Sequence, residues 1–454
     1  MKQKILTQAI IILALFTATI NLHGQVTIGS AEPPVDGALL DLKMKPDGTS
    51  TLGLGLPKVQ LSKLRPATDA ELAQSIGNTS ESYNMADHVG LIVYNILDAP
   101  LCGRPTGPYL WDGEQWVQLI GIPPGELKGS YAEDVQALKD LYNANPGNTL
   151  HWNLSGDPTG FAGVTWEIVC GEKRVTGLSI GTKNLTFATG IDKLYALREL
   201  ECTSNQLTSL NVSANTVLTK LNCDHNQLAT LSVPDNAVLA TLTCSYNQLS
   251  ALDVSANTAL TYLECHQNQL TNLDVSKNTA LTTLRCDYNS LTILDVSKNT
   301  ALMSLNCNGN QLSNLNISVN TALTELYCGN NQLTALNVSA NTALTALSFH
   351  NNQLTTLDIS NNTALTSLHC QGNKLSSLNI SANTALTTLY CPNNELTVLD
   401  VSVNTALTAL NCRYNRMIQA EVNKFKLHPN YCPNISNWVV TPQNGTTVTK
   451  PTCP

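Results

Sequence analysis

LECHQNQLTNLDVSKNTALTT, residues 263–283, is the stretch on which the fold turns. It holds two similar halves. Leu260-x-x-Leu263-x-Cys265-x-x-Asn268-x-Leu270 runs into Leu270-x-x-Leu273-x-Val275-x-x-Asn278. Apolar residues alternating with variable ones have the period of an extended chain, whose successive side chains face opposite ways. Leu263 and Cys265 therefore share one side, as do Leu273 and Val275, and Leu260 and Leu270 turn inward at the bends. Thr279-Ala280-Leu281 is too short for a helix of any length. The stretch thus predicts two short strands on opposite sides of a shared core.

The unit recurs every 21 residues without insertion or deletion. It opens at Leu200, Leu221, Leu242, Leu263, Leu284, Leu305, Leu326, Leu347, Leu368, Leu389 and Leu410, eleven copies with the last truncated. A looser copy, one residue longer, spans Leu178 to Glu199. A unit this small cannot bury its apolar face alone, so neighbours must stack into a solenoid. Asn stands in two columns, one from Asn205 to Asn415 and one from Asn215 to Asn404. A bend facing a core strands backbone N–H and C=O groups, and an Asn amide offers both an acceptor and a donor to them.

The unit resembles the bacterial leucine-rich repeat of the 21-residue class, LxxLxCxxNxLxxLDVSxNT, over roughly half the chain. The resemblance implies a mainly β, right-handed parallel solenoid, with the strand around Leu263 in the main, usually concave sheet. Residues 131–147, YAEDVQALKDLYNANPG, place Val135, Leu138, Leu141 and Tyr142 at helical spacing before an Asn-Pro-Gly stop. With Trp152, Trp166 and Cys170 following, residues 126–177 are similar to the N-terminal cap of leucine-rich repeat proteins. A single Cys stands there, so no disulfide is expected within the cap. An open solenoid end exposes leucines and strand edges and needs such a cover.

Lys2 and Lys4, then the apolar run from Ala9 to Leu22, read as a secretory leader over residues 1–24. The run is too short to span a bilayer comfortably. The first Cys is Cys102, so a lipid anchor near the leader is not expected. Residues 25–122 form a β-rich module of short runs, among them VTIG, ALLDL, GLIVYN and WDGEQW. Their order is similar to an N-terminal module of bacterial surface and fibre proteins. The solenoid is expected over 178–422 and a C-terminal cap or tail over 423–454, where Cys432 and Cys453 are candidates for a disulfide stapling a segment with little core.

A net charge of -8, with 13% charged residues, excludes the basic face that nucleic acid or anionic lipid requires. No G-x-S-x-G, H-E-x-x-H, phosphate loop or dinucleotide fingerprint occurs, and no enzyme activity, metal or cofactor is expected. Ten Cys, from Cys202 to Cys412, share one repeat position, which Phe349 takes once. A column spaced by about 4.8 Å cannot converge on one metal, so buried thiols are expected.

The variable positions beside the first strand carry the candidate site: Tyr246, Tyr262, Glu264, His266, Arg285, Asp287, Tyr288, Tyr327, His350, His369, Tyr390 and Tyr414. The matching positions of the second half hold mostly Thr, Ser, Ala, Asn and Asp. Strand propensity alone would put Tyr on both sides. Tyr, His and Arg give large contact area with a polar tip, which suits recognition. The ribbon would run about 50 Å. Being open, it should leave the ionisation of its acids unperturbed. The reading is an adhesin-like protein that binds a protein ligand, exported to the surface or medium of a Gram-negative bacterium, as its resemblance implies. A glycan ligand, or a structural envelope or fibre role, is the alternative.

Overall fold

The computed structural model describes residues 128–453 apart from Cys170 and Thr446, together with four strands nearer the N-terminus. The leader, most of the expected β-rich module, and Cys170 lie outside the described residues. The chain divides into two compact units, residues 1–128 and 129–454. In the first, β1 (Lys58–Val59), β2 (Ile92–Asn95), β3 (Gly107–Trp111) and β4 (Trp116–Gln118) form one sheet in that order. β1 and β2 are parallel, while β2–β3 and β3–β4 are antiparallel.

The second unit opens with helix α1 (Tyr131–Ala144), capped by Ser130, whose hydroxyl accepts the Glu133 amide. The buried face is Asp134, Ala137, Leu138 and Leu141, whereas Val135 is only partly covered. An acid sits there because Arg174 meets it in a bidentate pair at 2.9 and 2.9 Å, both side chains fully buried. The Val175 amide also donates to Asp134. The pair pins α1 to the antiparallel hairpin β5 (Val164–Val169) and β6 (Glu172–Ser179).

From β6 onward the sheet is parallel and in register through eleven three-residue strands, β7 (Glu199–Glu201) to β17 (Ala409–Asn411). Leu200, Leu221, Leu242 and their successors stack strand on strand. Every Leu and Cys of the first half-pattern is buried, as is Phe349 in the Cys column. Full burial of a Leu side chain contributes about 2 kcal/mol, so the repeated column is the main cohesive element. All ten column cysteines are free thiols. Burial pushes Cys202 and Cys307 up to about 12 and raises the other thiols whose shifts are resolved. They are therefore protonated, and Cys202 donates to the Asn222 carbonyl at 3.5 Å.

The second half-pattern departs from expectation. Its residues form turns, with two isolated bridges, Asn211↔Ser232 and Ser232↔Asp253, in place of a second sheet. The amides there are spent locally: Asn257 donates to Val254, Leu260 to Asn257, and Ser255 to the Asp253 side chain. Few remain to bond a neighbouring coil.

The two Asn columns also differ. Asn226 of the first donates to the carbonyls of Cys202, Cys223 and Asp224 and accepts from the Leu207 amide, as expected. Asn236 of the second donates to Val212 and Asn215, but its Oδ1 accepts nothing, and the same holds along the whole column to Asn404. That column is a donor ladder only.

At the far end, helix α2 (Gln419–Lys424) and strand β18 (Trp438–Val439) close the solenoid. The cap copies the ladders it terminates. His428 Nε2 meets the Asn404 carbonyl at 3.0 Å, where another coil would have placed an Asn. Gln443 donates to Cys412 and accepts from Asn415 and Met417, continuing the first column. Cys432 and Cys453 are disulfide-bonded. Among the described residues no helix is long and apolar enough to cross a membrane.

Candidate functional site

Each strand residue that flanks the buried Leu points outward, and so does the third residue after that Leu. In β10 (Tyr262–Glu264) these are Tyr262, Glu264 and, beyond Cys265, His266. The parallel register sets each against its counterpart one coil away, so single side chains become rows. The fourth residue after the Leu carries a feature the repeat pattern hides. It is left-handed in every coil: Ser204, His225, Tyr246, Gln267, Tyr288, Gly309, Asn330, Asn351, Gly372, Asn393 and Tyr414. Gly and Asn suit that conformation, whereas a larger side chain costs about 1 kcal/mol. Tyr246, Tyr288 and Tyr414 are therefore placed against backbone preference, with φ of 52°, 51° and 57°.

Two polar chains cross successive coils in the first half of the ribbon, one of four residues and one of three. The Tyr262 hydroxyl donates to Glu264 at 2.5 Å, and Arg285 donates to the same Glu264 oxygen at 3.2 Å. Arg285 Nε also stands 3.7 Å from Asp287 Oδ1. His266 Nδ1 meets Ser245 Oγ at 2.7 Å, and the Ser245 amide donates to Asp224 at 2.5 Å. Tyr246 packs between two imidazoles, with ring centroids 4.1 Å from His225 and 5.2 Å from His266. Tyr288 lies over Gly309, where a Cβ would meet its ring at 2.7 Å.

This half does not behave as a freely solvated surface, contrary to the expectation for an open ribbon. Burial raises the pKa of both Asp224 and Asp287, and the nearby Glu264 charge adds to both. Burial and the hydrogen bond to Glu264 push Tyr262 up to about 12. The rows stand close enough to bury one another's carboxylates in part. A shallow depression lined by Arg285, Ser304, Asn306, Glu325 and Tyr327 lies next along the ribbon.

The second half is built differently. His350 uses both ring nitrogens, Nδ1 with Ser348 Oγ at 2.9 Å and Nε2 with Asn330 Nδ2 at 2.9 Å. Since the Asn330 amide donates, the ring is neutral with its proton assigned to Nδ1. Its ring occupies the space a side chain at Gly329 would need. His369 packs on Tyr390 with centroids 4.7 Å apart. Burial lowers both histidines, and His350 adds to the effect on His369. Tyr327 is half-buried and Tyr414 lies beside Arg413, whose guanidinium is 5.3 Å from its ring.

The structure thus brings Tyr246, Tyr262, Glu264, His266, Arg285, Asp287 and Tyr288 into one group, and His350, His369 and Tyr390 into another. Ser245 belongs with the first group although the sequence reading passes it over, and so do Asp224 and His225, which the sequence places at the variable positions of the same strand face. Their repeat positions were the available signal, since they match those of His266, Tyr288 and Asp287. Among the described residues no group of His, Cys, Asp or Glu is arranged to hold a metal ion.

A 21-residue leucine repeat wound into a parallel, in-register sheet defines a leucine-rich repeat solenoid, and the chain belongs to the leucine-rich repeat family. The functional domain of InlJ from Listeria monocytogenes, described as including a cysteine ladder, is 33% identical over 59% of this chain and 75% of that one, with a TM-score of 0.46. The leucine-rich repeat protein LIC12759 of Leptospira interrogans is 25% identical over 56% of this chain and 82% of its own, with a TM-score of 0.45. YopM, a leucine-rich effector protein from Yersinia pestis, is 24% identical over 53% and 78%, with a TM-score of 0.42. A family model described as a phage tail like trimerisation region matches residues 27–133, and one described as an LVIVD repeat matches residues 346–368. None of the curated proteins compared with the chain matches it.

Proposed function

We propose that the chain is an exported, adhesin-like binding protein, not an enzyme, and that it holds a protein partner on the outward ribbon of its sheet. The observation that carries this reading is the placing of tyrosines at left-handed positions of the ribbon. Asn or Gly would hold the same turn at lower energy, as they do at Gly309, Asn330, Asn351, Gly372 and Asn393. Strain kept at a surface position is a sign of use. The contrast with the Thr- and Ser-rich second half supports the same reading.

Export is supported by Lys2, Lys4 and the apolar run that follows them. Residues 27–133 are similar to a trimerisation region, so we read the N-terminal unit as joining three copies. Three ribbons on one assembly would raise avidity without any new contact. A glycan ligand is the second reading, favoured by the exposed ring pair His225–Tyr246 and the partly exposed pair His369–Tyr390.

The test compares the full chain with a Tyr262→Ala/Arg285→Ala/Tyr288→Ala variant in capture from cell-surface protein fractions and on glycan arrays. Loss of protein capture by the variant, with no glycan signal from either, is the expected result. Equal capture by both would remove the ribbon from the account.

A further inference from the structure

Charge on the ribbon is concentrated in one half. Outward positions from Glu199 to Gly309 carry Glu199, Glu201, Asp224, Glu264 and Asp287 against Lys220 and Arg285, whereas those from Glu325 to Tyr414 carry only Glu325 and Arg413. The single arginine of the polar chain is shared between Glu264 and Asp287. Asp287 is 4% exposed, and its Oδ1 accepts no hydrogen bond. Asp224 forms no ion pair among the described residues; it accepts from the Ser245 amide, with Thr243 and the His266 ring nearby. Carboxylates held partly out of water without a full complement of cations are unfavourable in the free protein. A ligand that brings positive charge would relieve them.

We propose that this half of the ribbon receives a basic segment of the partner, with one arginine or lysine over Asp224 and a second over Asp287. The inference rests on the ribbon being the partner surface and names the chemistry that sits there. The two acids occupy the same position three coils apart, about 14 Å at the spacing of adjacent strands. An extended peptide advances about 3.3 Å per residue and returns to the same side every second residue. Basic side chains at i and i+4 therefore match the two carboxylates for a peptide lying across the strands. Tyr246 and Tyr288, 46% and 49% exposed, stand directly after the rows of Ser245 and Asp287 and offer ring faces to the cations. A bare metal ion is a poorer occupant, because the acids lie too far apart to share one.

The experiment measures binding of a labelled Arg-Thr-Ser-Thr-Arg peptide to the full chain by fluorescence anisotropy at low ionic strength. Its comparison peptide carries the two arginines adjacent. The ribbon variant is Asp224→Asn/Asp287→Asn. The control, Asp274→Asn/Asp295→Asn, removes the same charge from the opposite side, where each acid accepts only a Ser amide that Asn also caps at Asn316 and Asn337. The spaced peptide should bind the wild type and the control alike, bind the ribbon variant about tenfold more weakly, and outbind the adjacent peptide. No binding to the wild type, equal loss in both variants, or preference for the adjacent peptide would each overturn the proposal. Partner capture that is lost in the Tyr262/Arg285/Tyr288 variant yet resists competition by the peptide sinks the basic segment and leaves the ribbon reading standing. Capture indifferent to that variant sinks the ribbon reading itself.

Discussion

At the scale of single residues, the two Asn columns show how one residue type does unequal work. Asn310 makes three donor bonds and accepts one from Leu291, whereas Asn299 makes two donor bonds and accepts none. Each buried backbone group left unpaired costs about 1–3 kcal/mol. Asn310→Ala should therefore destabilise more than Asn299→Ala, with both losing several kcal/mol; urea midpoints of the two variants decide the order. The acids of the ribbon behave in the opposite sense. Their raised pKa means that the charged forms are disfavoured in the fold, a burden present above the unfolded carboxylate range and relieved as pH falls. Asp287→Asn should raise the melting temperature at neutral pH while weakening peptide binding. A lowered melting temperature would mean the carboxylate holds the fold together. His350 and His369 carry the reverse linkage. Their lowered pKa favours the neutral ring in the fold, so stability should fall as pH drops through the unfolded histidine value of about 6.5. A His350→Gln/His369→Gln variant should show a flatter stability profile between neutral and mildly acid pH.

Among the elements, the coil was largely legible. Leu spacing located the eleven strands β7 to β17 of the main sheet because burial of one face forces the register, but not β5 or β18 at its ends. The second half was misread for a reason visible in the residues. Its Leu273-x-Val275 spacing has a strand period, but the Asp274 carboxylate accepts the Ser276 amide and the Asn278 backbone amide donates to Val275, and a turn with inward apolar residues has the same spacing as a strand. The left-handed residue after the strand was hidden because eleven coils fill it with side chains of every kind. Cap α1 was placed by its apolar period, but not the burial of Asp134, since its partner Arg174 lies 40 residues away. Breaking a buried pair by removing one partner costs about 3–5 kcal/mol. Asp134→Ala should accordingly release α1, seen as early hydrogen exchange over residues 131–144 while the central coils stay protected.

For the whole molecule, the division of labour is between columns that are uniform and a ribbon that varies. Leu, Cys, Val and Asn repeat because each coil must fit the next; the outward residues are released from that requirement. The composition of the ribbon was readable, but its pairing into an acidic group and a neutral His–Tyr group depended on which coils are neighbours and on side chains crossing between them. The thiol column offers a check on the packing. All ten cysteines are buried free thiols, so the native chain should leave them unmodified by a thiol reagent that labels them fully in denaturant.

The most direct test of the central claim is a paired substitution scan in the full chain, reading partner capture and melting temperature together. Ribbon positions would be compared with the second-half positions of the same coils, for example Tyr246, Tyr262 and Tyr288 against Ser250, Thr271 and Thr292. The account predicts that ribbon substitutions abolish capture without lowering the melting temperature, and that second-half substitutions leave capture intact. Capture lost from the second half and retained on the ribbon would contradict it.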